Sequence, residues 1–219
     1  MKRISPLLAL LCLSTTATAG DDGWQTLFDG QGLDGWRGYH DESVPPGWRV
    51  DAGTLHFSGG QGDIITEGEW SDFELELEWK VSEGGNSGIF YRAALGEDAI
   101  YMSAPEMQVL DDAVHRDGGD PLTSAGAAYG LYPAPRGVVK PAGEWNAVRI
   151  KVKGNHVRHW LNDQLIVDYA LHSEDWQALV DGSKFAAWPA YGQATSGHIG
   201  LQDHGDPVWF RNIRIRSLD

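Results

Sequence analysis

Between Phe73 and Val81 the chain reads Phe-Glu-Leu-Glu-Leu-Glu-Trp-Lys-Val, with every second residue apolar. Successive side chains of a strand point to opposite faces. The stretch therefore predicts a strand that buries Phe73, Leu75, Leu77, Trp79 and Val81 and turns Glu74, Glu76, Glu78 and Lys80 to the other side. A face of that kind needs a sheet around it and a second layer against it. The rest of the chain supplies both. Further strands are expected at residues 48–50, 54–57, 64–66, 88–92, 105–109, 127–132, 145–153, 156–161, 164–169, 197–202 and 208–216, with Gly, Pro and Asn between them. Many short strands punctuated in this way predict an all-β, two-sheet jelly-roll sandwich. Lys153-Gly-Asn-His156 and Leu161-Asn-Asp-Gln164 read as hairpin turns joining three consecutive strands. In the last strand Val208 and Phe210 share one parity and Ile213 and Ile215 the other, which calls for a β-bulge near Arg211 and Asn212. The single helix expected, residues 172–180, is short and peripheral, with Ser173 as N-cap and Glu174 and Asp175 in its first turn.

Residues 1–19 read as a signal peptide. Lys2 and Arg3 precede an apolar run from Pro6 to Leu13, and Ala17-Thr18-Ala19 is a small-x-small cleavage site. Export to the periplasm or the extracellular space is the expectation. Leu11 before Cys12 is the wrong residue for lipid-dependent cleavage, which argues against a lipoprotein. Cys12 is the chain's one cysteine, so the remainder, residues 20–219, has neither a disulfide nor a Cys-metal site. That remainder is long enough for one β-domain with a substantial core. The formal net charge of −14 speaks against nucleic acid, whose backbone demands a basic footprint, and against anionic membranes; no second apolar run suggests membrane insertion.

Strand parity also singles out a polar face. In Ser196-Gly-His-Ile-Gly-Leu-Gln-Asp-His-Gly205, Ile199 and Leu201 point one way, and His198, Gly200, Gln202 and His204 the other. Glycine weakens a strand and often marks close approach to the backbone. The same test puts Gly88, Phe90 and Arg92 opposite Ile89 and Tyr91, and puts Glu106 and Gln108 opposite Met107 and Val109. Tyr129 is a further candidate for that face. If these strands share a sheet, Arg92, Glu106, Gln108, Tyr129, Gln202 and His204 line one concave surface of acid, base, cation and amides, which suits a sugar. Two other clusters compete. The row Glu74, Glu76, Glu78 resembles the carboxylate strand of sandwich glucanases, but reads better as a solvated convex face. Asp111-Asp112-x-x-His115 offers oxygen and imidazole ligands for a divalent ion at an unspecific spacing. Trp36, Trp145 and Trp188 could stack on sugar rings.

Several short motifs in fixed order resemble the 3-keto-disaccharide hydrolase domain family, formerly a domain of unknown function. They are Trp24-Gln-Thr-Leu-Phe-Asp-Gly30, Gly32-Leu-Asp-Gly-Trp36, Asn86-Ser-Gly-Ile-Phe-Tyr-Arg92, Glu106-Met-Gln-Val-Leu-Asp111, Gly126-Ala-Ala-Tyr-Gly130, Gly143-Glu-Trp-Asn146, Gly200-Leu-Gln-Asp-His-Gly205 and Phe210-Arg-Asn-Ile213. The resemblance runs from Trp24 to Leu218. It implies a concanavalin A-like sandwich and cleavage of glycosides already oxidised to a ketone at C3, by C2 proton abstraction, β-elimination and hydration. Such chemistry needs a base, enolate stabilisers and an acid for the leaving group. On this reading Glu106 and His204 share the roles of base and acid. Asn86, Arg92, Gln108, Tyr129 and Gln202 bind substrate. No cofactor is required, and a divalent metal near Asp111 or His115 is a candidate Lewis acid. A sugar 3-dehydrogenase would supply the substrate. The rival expectation is a non-catalytic carbohydrate-binding module on the same sandwich.

Overall fold

The computed structural model describes residues 23–60 and 62–218; the expected signal peptide, with Cys12, lies outside the described residues. Thirteen strands run in chain order: β1 Gln25–Phe28, β2 Trp36–Gly38, β3 Trp48–Asp51, β4 Thr54–Phe57, β5 Ile64–Thr66, β6 Phe73–Val81, β7 Asn86–Ala93, β8 Glu106–Leu110, β9 Asn146–Lys153, β10 His156–Leu161, β11 Gln164–Ala170, β12 His198–Leu201 and β13 Val208–Ser217. They form two antiparallel sheets. The larger runs β11-β10-β9-β6-β13-β4-β3, with β1 also on β13, and the smaller runs β2-β5-β12-β7-β8. The expected β-sandwich is the fold observed.

The alternation in β6 does what its pattern demands. Phe73, Leu75, Leu77, Trp79 and Val81 are all 2% exposed or less and meet Ile89, Met107, Val109, Ile199 and Leu201 of the smaller sheet in one core. Burying each large apolar side chain stabilises by roughly 1.5–3 kcal/mol. Both hairpins form. Asn162 and Asp163 take φ of 49° and 66° in the β10–β11 turn, the left-handed pair that matches strand twist. The register of β13 on β6 shifts between Arg211 and Arg214, and Asn212 has φ 54°, so the bulge falls where the parity change placed it. The helix α1 is Glu174–Asp181, with the Ser173 hydroxyl accepting from Trp176 N.

Two expectations are corrected. Residues 127–132 are not a strand. They form a tight loop with isolated bridges from Ala128 to Met107 and Tyr132. Small residues let this loop lie along the free edge of β8, where Gly126 N, Tyr129 N and Ala127 O bond to Gln108 O, Glu106 O and Gln108 N. The Glu74 row is solvated only in part, at Glu76 and Glu78, and its carboxylates are paired. Glu74 is 3% exposed and bonded to Arg216, with Arg149 and Lys151 close by; Glu76 bonds Arg214, and Glu78 bonds Arg211 and Asn212. These pairs staple β6 to β13 and leave no free carboxylate pair for an ordinary glycosidase. A depression of about 640 Å³ beside this ladder is lined by Glu76, Glu78, Arg149 and Arg214, groups already paired: Glu76 with Arg214, Glu78 with Arg211 and Arg149 with Glu74.

Inside the core a polar chain ties the sheets together. The Gly126 carbonyl only accepts, so His159 Nδ1, 3.1 Å away, carries the ring hydrogen. His159 Nε2 then accepts from the Tyr91 hydroxyl at 3.0 Å, and Tyr91 accepts from Tyr169 at 2.6 Å. Burial pulls the His159 pKa down to about 4, so the ring is neutral and the assignment consistent. The chain anchors the Gly126 loop, and with it Tyr129.

Candidate active site

The outer face of the smaller sheet divides in two. One half is covered: Tyr39, Ile65, Phe90, Ala93, Ile100 and Ala104 form a second cluster beneath the segment after β7. Gly200 belongs to this half, since a Cβ there would overlap Ile100. Its bareness serves packing, not substrate. His198 is buried against Gly68 O and lies 3.6 Å from Glu69. The other half is open, a cleft of about 150 Å³.

Six of the expected residues meet in that cleft: Asn86, Glu106, Gln108, Tyr129, Gln202 and His204. Register explains why. Gly88 pairs with Gln108, Gln202 N donates to Gly88 O, and Glu106 stands across from Phe90. Along the strands the cleft therefore runs from Glu106 at one end, past Gln108, Gly88 and Gln202, to Asn86 and His204 at the other. Glu106 leans over Gly88, where a Cβ would overlap its carboxyl oxygen. Glycine at 88 is what leaves room for the acid.

Electrostatics set the state of each group. Desolvation pushes the Glu106 pKa up to about 8; Lys184 opposes the rise and Asp63 adds to it. Glu106 thus holds its proton at neutral pH. Asp63 is raised to about 6, first by burial, although its carboxylate accepts from Asp203 N. Leu201 pairs with Ile64, so Asp63 follows Gln202 in the same transverse row. His204 sits at the rim, with its Nδ1 4.0 Å from Asp206 Oδ2. Three amide oxygens of the cleft, Asn86 Oδ1, Gln108 Oε1 and Gln202 Oε1, are buried without any hydrogen-bond partner. Gln108 Nε2 is already committed to Thr123 O, which fixes its oxygen toward the cleft. Buried acceptors left unpaired are destabilising, and hydroxyl donors would relieve that cost.

Of the remaining three candidates, Arg92 and Asp111 do not line the cleft, and His115 stands just outside its rim, with its ring centroid 6.4 Å from that of His204. Arg92 has φ 51°, which breaks the alternation of β7. Its guanidinium turns to Ser71 O, Asp72 and Gly154 O, at the end of the other sheet. Asp111 accepts from Gly84 N and Ala113 N, and His115 Nδ1 from Asp117 N. Among the described residues no three His, Cys, Asp or Glu side chains converge to hold a metal, so the donors do not fit a divalent ion. Four contributors escape sequence reading: Lys184, Phe185, Tyr101 and Asp63. Lys184 and Phe185 come from a 3-10 turn, Lys184–Ala187, and Tyr101 from another, Ile100–Met102. Lys184 is exposed along its stem, with its ammonium 4.4 Å over the Tyr129 ring. Desolvation lowers its pKa while Glu106 and Asp117 hold it up.

A model of the 3-keto-alpha-glucoside-1,2-lyase-like domain matches residues 23–216. The chain belongs to that family. It is 42% identical to a 3-keto-disaccharide hydrolase of Bacteroides thetaiotaomicron, over 90% of this chain and 79% of that one. Family membership and this identity make the chain an enzyme, a hydrolase. A crystal structure of a provisionally named glycosyl hydrolase from Parabacteroides distasonis superposes with TM-score 0.85 at 32% identity, covering 90% of this chain and 94% of the other. The carbohydrate-binding module CBM66 of Bacillus subtilis shares the fold at TM-score 0.54 and 15% identity, covering 84% and 96%.

Proposed function

We propose that the protein cleaves glycosides carrying a ketone at C3, by elimination and rehydration. The observation that carries this reading is the cleft itself: three unpartnered amide oxygens share it with a buried acid that keeps its proton, Glu106, and with an imidazole, His204. The amide oxygens accept from sugar hydroxyls. A C3 ketone acidifies the C2 hydrogen. His204 takes that proton, and the resulting enolate oxygen is stabilised by the Lys184 ammonium in a low-dielectric cleft. When the ketone reforms, the electron pair makes the C1–C2 double bond and the C1–O bond breaks. Glu106 delivers its proton to the departing oxygen. Water then adds across the double bond: the Glu106 carboxylate takes a proton from the water attacking C1, and the His204 imidazolium returns one to C2. Both groups end as they began. A carboxyl raised by burial is how such sites keep an acid protonated at neutral pH.

The sequence adds context. The basic, apolar and small-x-small pattern of residues 1–19 supports action outside the cytoplasm, and among the described residues no helix is long and apolar enough to cross a membrane. A C3 ketone must be made by oxidation of the C3 hydroxyl, so a sugar 3-dehydrogenase is the partner reaction we propose.

The test uses p-nitrophenyl glucoside and its 3-keto derivative. Nitrophenol should be released from the keto form alone. Nitrophenolate departs without a proton, so the acid is tested on the methyl 3-keto-glucoside, whose cleavage Glu106→Gln should slow by roughly 10²–10⁴. Equal release from the plain glucoside, or an unimpaired Glu106→Gln enzyme, would refute the reading.

A further inference from the structure

The cleft of about 150 Å³ is well below the roughly 300–1,000 Å³ of ordinary ligand pockets. It takes one sugar ring, so the group leaving C1 has to lie outside it. Which way that group exits follows from the register. Glu106, the acid that protonates the departing oxygen in the proposed function, springs from the row of Phe90 and Gly200 and leans its carboxyl over Gly88; Ile100 crosses that same row, so the segment carrying Tyr101 is at the end of the cleft from which Glu106 reaches in, opposite Asn86.

At that same end stands an aromatic pair from two different segments. Tyr101 lines the cleft and is 37% exposed. Trp188 packs on it with ring centroids 5.2 Å apart at 53°, and is itself braced edge-on by Phe185 at 5.7 Å. Trp188 is only partly buried, although it is a large apolar side chain of the kind interiors normally absorb. Each ring is anchored in the fold: Tyr101 directly follows Ile100, which is buried in the second cluster, and Phe185 beside Trp188 is buried in the main core. Preformed aromatic surface next to a polar, one-ring cleft is matched to a ligand with a polar half and a flat apolar half.

Resting on that reading, we infer that Tyr101 and Trp188 form a leaving-group subsite that selects 3-keto glycosides whose aglycone presents a ring face. No cation or carboxylate is needed for this contact, so the selection is by shape and stacking.

The probe is a matched pair of substrates, the benzyl and methyl 3-keto-glucosides, whose alcohols are of similar acidity. The intact enzyme should prefer the benzyl compound in kcat/KM by about tenfold, the scale of a good aromatic contact. Trp188→Ala should erase most of that preference by lowering the benzyl rate, with the methyl rate, which also reports that the variant is folded, nearly unchanged. Cleavage of neither compound would sink the proposed function. Cleavage of both with no benzyl preference, or with a preference that survives the substitution, would overturn the subsite alone. If Trp188→Ala loses the methyl rate as well, Trp188→Leu, which keeps the apolar packing, decides: the inference requires it to restore methyl cleavage but not the benzyl preference.

Discussion

Glycine 88 and Glu106 occupy one space between them. Gly88→Ala would put a methyl group where the carboxyl oxygen lies, and a crowded core position typically destabilises by about 1–3 kcal/mol. We expect kcat on the 3-keto substrate to fall by roughly 10², the low end of what a positioned acid contributes, in a protein still folded by circular dichroism. The neighbours of Glu106 tune its proton. Asp63 raises its pKa and Lys184 lowers it. Activity should therefore decline as pH rises through about 8. Asp63→Asn should move that decline to lower pH and Lys184→Met to higher pH. Shifts in the same direction, measured in kcat/KM profiles, would contradict the assignment. Strand parity is enough to make Glu106, Gln108, Gln202 and His204 legible in the sequence. Asp63 and Lys184 are not legible there, because their place depends on which strands pair and how a 3-10 turn folds over the cleft. Neither leaves a local pattern.

Elements are readable where their pattern is local. The alternation of β6 and the bulge of β13 are each encoded within a single strand. Alternation misplaces Arg92 because its positive φ, beside a register shift between His198 and Gly200, turns one residue against the pattern. The 127–132 loop reads as a strand because its residue types suit the edge of β8, yet its hydrogen bonds to that edge imitate pairing without the extended backbone. That loop is anchored through His159, Tyr91 and Tyr169. Tyr91→Phe leaves His159 Nε2 buried without a donor, which should destabilise by about 1–3 kcal/mol. Urea unfolding would measure that loss; a change below about 0.5 kcal/mol, the low end of a net hydrogen bond, would show the chain to be incidental.

Across the whole molecule, two buried groups, His159 and Glu106, and the half-buried Asp63 give stability a defined pH dependence. His159 is lowered from 6.5 to about 4. The unfolded chain binds more protons in that window, so stability rises with pH and the gain is complete by 6.5. Asp63 and Glu106 are raised from 3.8 to about 6 and from 4.5 to about 8. Each contributes stability that is full below its unfolded value and lost as pH rises through its folded one. Between pH 6.5 and 8 only Glu106 of these three is still changing, which corresponds to about 2 kcal/mol at 1.36 kcal/mol per unit. The melting temperature should fall across that interval in the native protein and stay flat in Glu106→Gln. The fold thus accepts a less stable state at neutral pH in order to keep a neutral acid in its cleft.

The central claim is that the bond at C1 breaks because a proton leaves C2. It is tested most directly with the p-nitrophenyl 3-keto-glucoside deuterated at C2, assayed for rate and for label in the first product formed. The account predicts a primary isotope effect on nitrophenol release and loss of the label to solvent. Equal rates for the two isotopologues, with deuterium fully retained at C2 of the released 3-keto sugar, would show direct displacement at C1 and contradict it.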